Sequence, residues 1–383
     1  MIYLDNAATT RPFDEVIEVV GRVMREDFAN PSSLHHLGVK AEEVMDESRQ
    51  ILANALQVDP GEVFFTSGGT ETNNLAIKGA AKAQRKRGSH IITSVVEHKS
   101  ILNTMQALEE EGYEVTYLPV NGDGIVDLQL LEEVLREDTI LVSIMHVNNE
   151  TGAIQPIDRI EQLLRKHDTK PLFHVDAVQS FAKIPLHPYH SDVDLLTLSS
   201  HKIHGPKGIG ALFKRRGVRL ASFLDGGGQE KGIRSGTENL PGISGFATAI
   251  ELNFERIFER QNHMSHLRHM IRDNIQRTFD DVVINTPDER FAAPHILNVS
   301  FPGLQGEVLL RKLEKAEIYV STGSACTSGK NTPSHVLTAM GKSKEEVQGA
   351  LRFSFSFMNR EEDIGQVMEH LVPAVQRLKR MIS

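Results

Sequence analysis

The sequence predicts an α/β protein with a mostly parallel sheet sandwiched by helices, together with a smaller α+β domain. Through the first half of the chain, short runs that are apolar at nearly every position alternate with helical patterns, which is typical of a sheet covered on both faces. A long helical tract over 243–279 interrupts this alternation, and strands and helices follow it in an α+β order. We therefore expect a large domain over 15–250 and a small domain formed by 1–14 and 251–383.

The predicted elements follow one another closely along the chain. A short extended segment over 2–10 precedes a helix that begins near Pro12 and a second helix from Val39. Apolar runs then predict strands at 63–66, 91–96, 115–120, 140–147, 172–176, 195–198 and 208–213. Helical spacing predicts the helices between them, through Leu75, over 100–108, through Leu131 and over 157–164. In the small domain the predicted order is strand 295–301, helix 307–315, strand 317–320, helix 334–340, strand 351–357 and a final helix.

Composition and charge are those of an ordinary globular protein. The 383 residues are 40% hydrophobic and 24% charged, and 42 basic against 51 acidic residues give a net charge of −9. This acidic balance argues against a nucleic-acid or anionic-membrane surface. No apolar run approaches the ~20 residues that span a bilayer, and residues 1–6 lack the features of a secretory signal. We expect a cytoplasmic protein with no membrane and no nucleic-acid partner.

The most informative stretch ends the predicted strand at 195–198. It places Ser199, Ser200, His201 and Lys202 at the carboxyl end of a buried strand, just before a glycine-rich turn. A lysine in that position can form a Schiff base with an aldehyde cofactor, and its small polar neighbours can hold a phosphate. A lysine that leaves a strand is more often a plain surface residue, so the interpretation depends on the rest of the chain.

Two other strand ends carry candidate ligands. Residues 67–71 form a glycine-rich strand–helix junction, where Gly69, Thr70 and the helix amides can receive an anion. An ordinary strand–helix turn explains this motif about as well, and the motif matches neither a Walker loop nor a dinucleotide fingerprint. His98 follows the strand at 91–96 and can stack on a planar ligand there, although a loop histidine without a role is the simpler alternative.

Asp176 and Gln179 follow the strand at 172–176 and fall on one face of a first helical turn. The carboxylate can pair with a protonated ring nitrogen, and the amide can donate to a ring oxygen. Helix capping is the alternative for Asp176, but it leaves Gln179 unexplained. Asn149 likewise follows the carboxyl end of a predicted strand, the one at 140–147.

Three residues of the remaining chain also stand out. Cys326 is the one cysteine, so it forms no intrachain disulfide, and its small polar neighbours over 321–330 favour an accessible nucleophile over a buried structural thiol. Arg352 lies in an apolar strand and needs an anionic partner, either a substrate carboxylate or a structural Asp or Glu. Thr237 lies in the glycine-rich loop 226–238, for which a plain surface loop is the simplest interpretation. His263, His266 and His269 recur at helical spacing but have no carboxylate or cysteine companion, so we expect a solvated helix face there and no metal site.

Taken together, nine motifs of this chain resemble, in order, those of the cysteine desulfurases, pyridoxal-phosphate enzymes of the class V aminotransferase group. They lie at 3–10, 30–33, 66–71, 97–99, 146–150, 176–179, 200–202, 234–237 and 323–328. Each motif is weak alone, but their common order covers essentially the whole chain. The long loop around Cys326 resembles the housekeeping and nitrogen-fixation branch of the family.

The resemblance implies the type I pyridoxal-phosphate transferase fold and a role for each matched residue. Lys202 would carry the cofactor and move the Cα proton, and Cys326 would receive sulfur as a persulfide. His98 would stack on the cofactor ring, with Asp176 on its nitrogen and Gln179 on its phenolic oxygen. The other cofactor contacts implied are Gly69, Thr70, Asn149, Ser199, Ser200, His201 and, from the neighbouring subunit of a homodimer, Thr237. The substrate would meet Asn149 and Arg352, the latter at its carboxylate.

The implied activity converts L-cysteine to L-alanine and an enzyme persulfide. The sulfur would then pass to an acceptor protein, either an iron–sulfur scaffold or a thiolation enzyme. The alternatives are selenocysteine lyase or another pyridoxal-phosphate reaction of the same group, and a non-catalytic scaffold subunit. The presence of Lys202, Asp176, His98 and Cys326 together disfavours the scaffold.

Overall fold

The described part of the chain forms three sheets and twelve α-helices. The structure is a computed structural model, and it describes residues 1–222, 224–322 and 333–382. The strands are β1 (Ile2–Tyr3), β2 (Val63–Thr66), β3 (His90–Ser94), β4 (Glu114–Leu118), β5 (Thr139–Met145), β6 (Leu172–Asp176), β7 (Leu195–Ser199), β8 (Gly210–Lys214), β9 (Val283–Ile284), β10 (Ile296–Ser300), β11 (Ile318–Tyr319) and β12 (Ala350–Ser354). The helices are α1 (Asp14–Glu26), α2 (His36–Leu56), α3 (Gly69–Gln84), α4 (Lys99–Glu110), α5 (Leu128–Val134), α6 (Ile157–Lys166), α7 (Leu240–Phe254), α8 (Ile257–Thr278), α9 (Gly306–Glu314), α10 (His335–Ala339), α11 (Lys344–Gln348) and α12 (Glu361–Ile382).

The largest sheet has seven strands in the order β2-β8-β7-β6-β5-β3-β4. All neighbouring strands are parallel except that β8 runs antiparallel to both β2 and β7. Because β8 is antiparallel to both of its neighbours, β2 and β7 run in the same direction. The carboxyl ends of β2, β3, β5, β6 and β7 therefore lie at one edge of the sheet, and the predicted mostly parallel sheet is confirmed.

Helices cover both faces of this sheet. Alternate strand residues point to opposite faces, so Phe65 packs with α1, α2, α6 and α7, whereas its neighbour Phe64 packs with α3 and α4. The same alternation separates Ile92 from Ile91. Burial on both faces explains why these strands are apolar at nearly every position. None of the described helices is long and apolar enough to cross a membrane.

A second apolar cluster lies under the remaining strands. Strand β10 pairs antiparallel with β9 and β12, and β1 pairs with β11. Ile2 and Leu4 of the N-terminal segment join residues of α8, α9 and α12 in this cluster. The chain then passes from this cluster toward the large sheet, since Thr10 N–H donates to the carbonyl oxygen of His201. The division into a large domain over 15–250 and a small domain of 1–14 and 251–383 stays a prediction.

The helical tract predicted over 243–279 is two helices, α7 and α8, rather than one. Arg256 interrupts the tract with a φ of −136° and a ψ of 33°. The two helices serve different cores: Phe246 of α7 packs on the large sheet, whereas Leu267 of α8 packs in the second cluster. A break between them lets each helix bury its own apolar face. The short helix α11, which starts at a capping box of Ser343 and Glu346, was not predicted.

Candidate active site

A cavity of about 250 Å³ opens where the carboxyl ends of the parallel strands meet. This is the edge at which open α/β sheets bind their ligands, since loops there diverge to opposite faces of the sheet. The cavity is lined by most of the residues that the sequence predicts as ligands, namely Gly69, Thr70, His98, Asn149, Asp176, Gln179, Ser199, His201, Lys202 and Arg352. Folding thus brings together residues that are spread along the chain, from the turn after β2 to β12.

Lys202 reaches the cavity from a single 3₁₀ turn that directly follows β7. Its amine donates hydrogen bonds to the carbonyl oxygens of Ala7 and Ala8, both at 2.7 Å. The N-terminal segment therefore forms one wall of the cavity beside the amine. The neighbouring His201 imidazole contacts the Thr9 hydroxyl at 3.1 Å, and burial together with nearby lysines lowers its pKa to about 4. His201 is thus neutral at pH 7.

Asp176 ends β6 with a carboxylate that is 5% exposed. One oxygen accepts from the Asn73 amide at 2.8 Å and the other from the Val178 N–H at 2.9 Å. Burial raises the pKa of Asp176, and these two hydrogen bonds act against that rise because they favour the carboxylate. A cation placed in the cavity against this carboxylate would offset the cost of burying it.

His98 is joined to Asp176 through a chain of polar side chains. Its Nδ1 accepts a hydrogen bond from the Ser100 N–H at 3.1 Å, so the neutral ring carries its proton on Nε2. The Ser100 hydroxyl lies 2.8 Å from the same Nδ1 and accepts a hydrogen bond from the Asn73 amide, which also donates to Asp176. Burial lowers the pKa of His98, so an uncharged ring faces the cavity.

The glycine-rich turn after β2 comes close to Ser199. Gly68 has a φ of 146°, which only glycine adopts freely, and a Cβ on Gly69 would lie 2.9 Å from a methyl carbon of Val178. The Ser199 hydroxyl is buried and has no hydrogen-bond partner among the described residues. Together with the first amides of α3, this hydroxyl forms a donor set suited to an anion.

Gln179 has an amide whose orientation is set by its neighbours. Its nitrogen donates to the carbonyl oxygen of Ala7 at 2.9 Å, so its oxygen faces Nε2 of His295 at 3.4 Å. Because a carbonyl only accepts, the nitrogen and oxygen of this amide cannot be exchanged without losing the Ala7 bond. The amide nitrogen is therefore the atom of Gln179 that can donate toward the cavity.

Arg352 lies 3% exposed in β12 and lines the far side of the cavity. It forms an ion pair with Asp5 at 2.7 Å and donates to the carbonyl oxygen of Asn149 at 2.8 Å. Its Nε is buried with no partner among the described residues. The structure thus supplies the structural carboxylate that the sequence left as one of two alternatives, and further guanidinium N–H groups remain for a second acceptor.

Among the described residues, two predicted site residues do not line the cavity, and a third predicted residue is not described. Ser200 is fully buried, and its hydroxyl lies against Gly205 rather than in the cavity. Thr237 is exposed on the protomer surface. Cys326 lies outside the described residues. The roles of these three residues stay predictions.

Comparison with known proteins agrees with this geometry. Residues 2–367 match the model of the aminotransferase class-V family. A cysteine desulfurase IscS of Clostridium botulinum is 42% identical over 381 residues, which cover 99% of this chain and 96% of that protein. The chain belongs to the aminotransferase class-V family and, within it, to the cysteine desulfurases.

Two solved structures are similar over almost the whole chain of this class-V protein. A NifS-like protein superposes with a TM-score of 0.92 at 40% identity, covering 98% of this chain and 99% of that one. A structure described as SspA in complex with cysteine superposes with a TM-score of 0.81 at 37% identity, covering 93% and 99%. The expected type I pyridoxal-phosphate fold and the expected family are thereby confirmed.

Class-V enzymes depend on pyridoxal phosphate, and the residues present in this cavity fit that group. The unpartnered Ser199 hydroxyl and the α3 amides suit a phosphate, and the buried Asp176 carboxylate suits a protonated ring nitrogen. The Lys202 amine would hold the aldehyde carbon. Each chemical group of the cofactor thus has a complementary group in the cavity.

Several residues of this class-V site were missed from the sequence. Asn73 joins Asp176 to Ser100, and Asp5, Ala7 and Ala8 hold Arg352 and Lys202. A signal existed for the N-terminal residues, because the motif at 3–10 combines small and polar residues that no core requires. Asn73 could have been noticed as a polar residue one turn beyond Gly69, on the helix that leaves the cavity.

Proposed function

We propose that this protein is a pyridoxal-phosphate-dependent cysteine desulfurase that removes sulfur from L-cysteine. The observation that carries the proposal is the convergence of the Lys202 amine, the Asp176 carboxylate and the Arg352 guanidinium on one cavity. An amine, a buried anion and a cation in one cavity suit an aldehyde cofactor with a basic ring and an amino-acid substrate. Family membership and 42% identity to a cysteine desulfurase support the same reaction.

Each residue of the cavity has a proposed task. Pyridoxal phosphate, when bound, supplies an electron sink that makes the Cα proton of an amino acid acidic. Lys202 holds the cofactor and afterwards moves that proton, Asp176 keeps the ring nitrogen protonated, and the His98 ring excludes water by stacking. Arg352 binds the substrate carboxylate with guanidinium N–H groups that Asp5 and Asn149 leave unused.

The remaining proposed tasks concern the cofactor's periphery. Gln179 donates its amide nitrogen to the phenolic oxygen, an orientation supported by its bond to Ala7. Asn149 contacts both cofactor and substrate. The phosphate is held by Gly69, Thr70, Ser199 and His201, with Ser200 supporting the turn behind them.

Cys326 is the proposed sulfur acceptor of the enzyme. Its thiolate bonds to the sulfur of L-cysteine, and the electron pair of the breaking Cβ–S bond stays with the carbon skeleton. Protonation of that carbon completes L-alanine, and the sulfur remains on the enzyme as a persulfide. Only a thiolate acts as such a nucleophile, so the rate should rise with pH until the thiol is ionised.

The test separates cofactor binding from sulfur transfer. Purified protein should be yellow with bound cofactor and should release L-alanine and sulfide in equal amounts from L-cysteine and a reductant. Cys326→Ser should keep the cofactor absorbance and lose at least about 100-fold in sulfide release, while Lys202→Ala should lose both. Undiminished sulfide release by Cys326→Ser would remove Cys326 from the reaction, and a colourless protein would favour a non-catalytic scaffold.

The same assay distinguishes the alternatives within the group. Amino transfer to a keto acid would indicate a transaminase. A strong preference for selenocysteine over cysteine, with release independent of Cys326, would indicate a lyase for that substrate. We propose desulfuration of L-cysteine because the chain carries a thiol within the family's cysteine motif at 323–328.

A homodimer, a cytoplasmic location and a sulfur-acceptor protein complete the proposal. Thr237 is exposed and lies apart from the cavity of its own protomer, which supports a contact with the cofactor of the other subunit. Light scattering should give twice the 42.6 kDa of one chain, and Thr237→Ala should weaken cofactor binding. Incubation with labelled cysteine and candidate acceptors, an iron–sulfur scaffold or a thiolation enzyme, should show which one takes the sulfur.

A further inference from the structure

Lys183 is a second buried lysine beside the proposed cofactor lysine. It is 7% exposed, and it shares with Lys202 the lining of a small cavity of about 10 Å³ behind the active site. Its side-chain amine donates one hydrogen bond within the described chain, to the carbonyl oxygen of Gln179 at 3.4 Å. No described carboxylate forms an ion pair with this amine. Lysine is almost never buried without a partner, because the ammonium loses its hydration.

The backbone before Lys183 is held in an uncommon conformation. Ala182 has a φ of 57°, in the left-handed region that residues with a Cβ seldom adopt. The turn that contains it brings the Lys183 N–H to the carbonyl oxygen of Ser180 and directs the amine inward beneath Gln179. Such conformations persist where the surrounding structure requires them and are concentrated at functional sites.

Among the described residues, the titratable groups that face Lys183 are an amine, imidazoles and a guanidinium. Lys202 and His201 approach from the turn after β7, with His204 beyond them, and Lys183 contributes to lowering the pKa of both histidines. Arg260 of α8 lines the same small cavity. Lys183 also contributes to lowering the pKa of His295, which directly precedes β10. Burial, followed by the charge of Lys202, lowers the pKa of Lys183 to about 7.

Two protonated amines in this space would repel each other strongly. When such groups interact, their protons are lost in two separate steps that belong to the pair. The carbonyl oxygens of Ala7 and Ala8 favour the charged form of Lys202, because they accept hydrogen bonds from it. The Asp176 carboxylate favours the same form by its charge, whereas the rings of His98 and His295, which also interact with Lys202, would oppose it if protonated. A neighbouring positive charge opposes that preference and favours release of the proton.

We propose that Lys183 is a positioning residue that shares one proton with Lys202 and thereby makes the uncharged Lys202 amine available before the cofactor binds. The inference rests on the proposed function, in which Lys202 condenses with the aldehyde of pyridoxal phosphate and one water leaves. Only an uncharged amine has the lone pair for that bond. Lys183 itself touches neither cofactor nor substrate.

The experiment measures how fast pyridoxal phosphate associates with the full-length protein, stripped of cofactor, across pH 6 to 10. We expect the wild-type midpoint at least about one pH unit below the ordinary lysine value of about 10.4. Lys183→Met removes the charge at similar volume and should raise the midpoint by about one unit, which makes association at pH 7.5 about tenfold slower. Lys183→Arg keeps a charge and should leave the midpoint at or below that of wild type.

Lys214→Met is the matched control, since Lys214 is a half-buried lysine of β8 that does not line the active-site cavity. Its midpoint should equal that of wild type. An unchanged midpoint in Lys183→Met, even with altered thermal stability, would overturn the proposal and leave Lys183 a packing residue.

Two further results distinguish a failure of the proposal for Lys183 from a failure of the proposed function. If Lys183→Met does not fold, Lys183→Gln replaces it, and a wild-type midpoint near 10 overturns the proposal without any variant. A wild-type protein that never binds pyridoxal phosphate would reject the proposed function itself. Normal binding with unaltered midpoints would reject only the role of Lys183.

Discussion

At the scale of single residues, the charge of Asp176 depends on very few contacts. Its carboxylate is almost fully buried, and it accepts one side-chain hydrogen bond from Asn73 and one backbone hydrogen bond from Val178. Burial raises the pKa of Asp176, and each donor counteracts that rise. Asn73 therefore helps to keep the Asp176 carboxylate ionised, as do the Val178 N–H and the nearby Lys202.

Asn73→Ala should weaken cofactor binding while leaving the fold intact. Loss of the amide removes one of the two donors to Asp176 and the donor to Ser100, at a cost of about 1–3 kcal/mol for a buried group left without its partner. We expect an affinity for pyridoxal phosphate about 5- to 150-fold lower, measured by equilibrium titration of the cofactor absorbance.

Asn74→Ala provides the control for that substitution. Asn74 is the next residue of the same helix, and its amide bonds to the Thr70 carbonyl and the Thr104 hydroxyl rather than to Asp176. Its affinity for the cofactor should stay close to that of wild type. Equal losses in both variants would mean that α3 stability, not the Asp176 contact, determines binding.

At the scale of elements, β8 brings the glycine-rich turn beside the end of β7. Gly210 pairs with Thr66 on one side and Ser199 on the other. A Cβ on Gly210 would lie 2.7 Å from both the Cα of Gly68 and the carbonyl oxygen of Leu198. The absence of a side chain at Gly210 therefore allows the proposed phosphate-binding groups to approach one another.

Gly210→Ala should separate these groups and weaken cofactor binding. The contacts are with backbone atoms that cannot rotate away, so we expect a loss of about 1–3 kcal/mol in the free energy of unfolding as well. Urea unfolding and cofactor titration measure the two effects. Gly122→Ala is the matched control, because a Cβ there meets nothing within 4 Å, and the proposal for Gly210 fails if both variants behave alike.

At the scale of the whole molecule, buried histidines make the fold sensitive to acid. His174 bridges β5 and β7 through Ser143 and Thr197, and burial lowers its pKa to about 3. Burial lowers the pKa of His146, His201 and His204 to about 4. In the unfolded chain these rings take up protons near pH 6.5, so their stabilising effect is complete above pH 6.5 and is lost as the pH falls toward 4.

Glu97 changes the stability of the fold with pH in the direction opposite to that of the histidines. It is fully buried, accepts hydrogen bonds from Ser94 and the Met145 N–H, and has its pKa raised by burial to about 8. The folded state therefore holds a proton on Glu97 that the unfolded state releases above about pH 4.5. Asp176 and Asp194, whose pKa values burial also raises, add to this opposing effect.

We expect the free energy of unfolding to fall by about 2 kcal/mol between pH 6.5 and pH 5, because the histidines outnumber the opposing carboxyls. Urea unfolding at several pH values measures this change. Glu97→Gln removes one opposing group at nearly constant shape and should make the fall steeper. A constant stability in both wild type and Glu97→Gln would contradict the expectation, because removal of an opposing group should then reveal the effect of the histidines.

Most of the fold could be predicted because its determinants are local. Strands buried on both faces must be apolar throughout, and Phe64, Phe65, Ile91 and Ile92 meet that requirement without reference to any distant residue. The break between α7 and α8 could not be predicted in the same way. It depends on which core each helix packs against, and the helical spacing of apolar residues is the same for either core.

The candidate site also has some features that local sequence determines and others that depend on tertiary contacts. The sequence by itself determined the candidates at strand ends, such as Asp176 and Lys202, since parallel strands deliver their carboxyl ends to one edge. Only the tertiary structure decided their partners: Asp5 is 347 residues from Arg352 along the chain, and Asn73 is 103 residues from Asp176. Local patterns specify the type of element and the chemistry that it carries. The charge and orientation of each group depend on burial and on contacts that only folding creates.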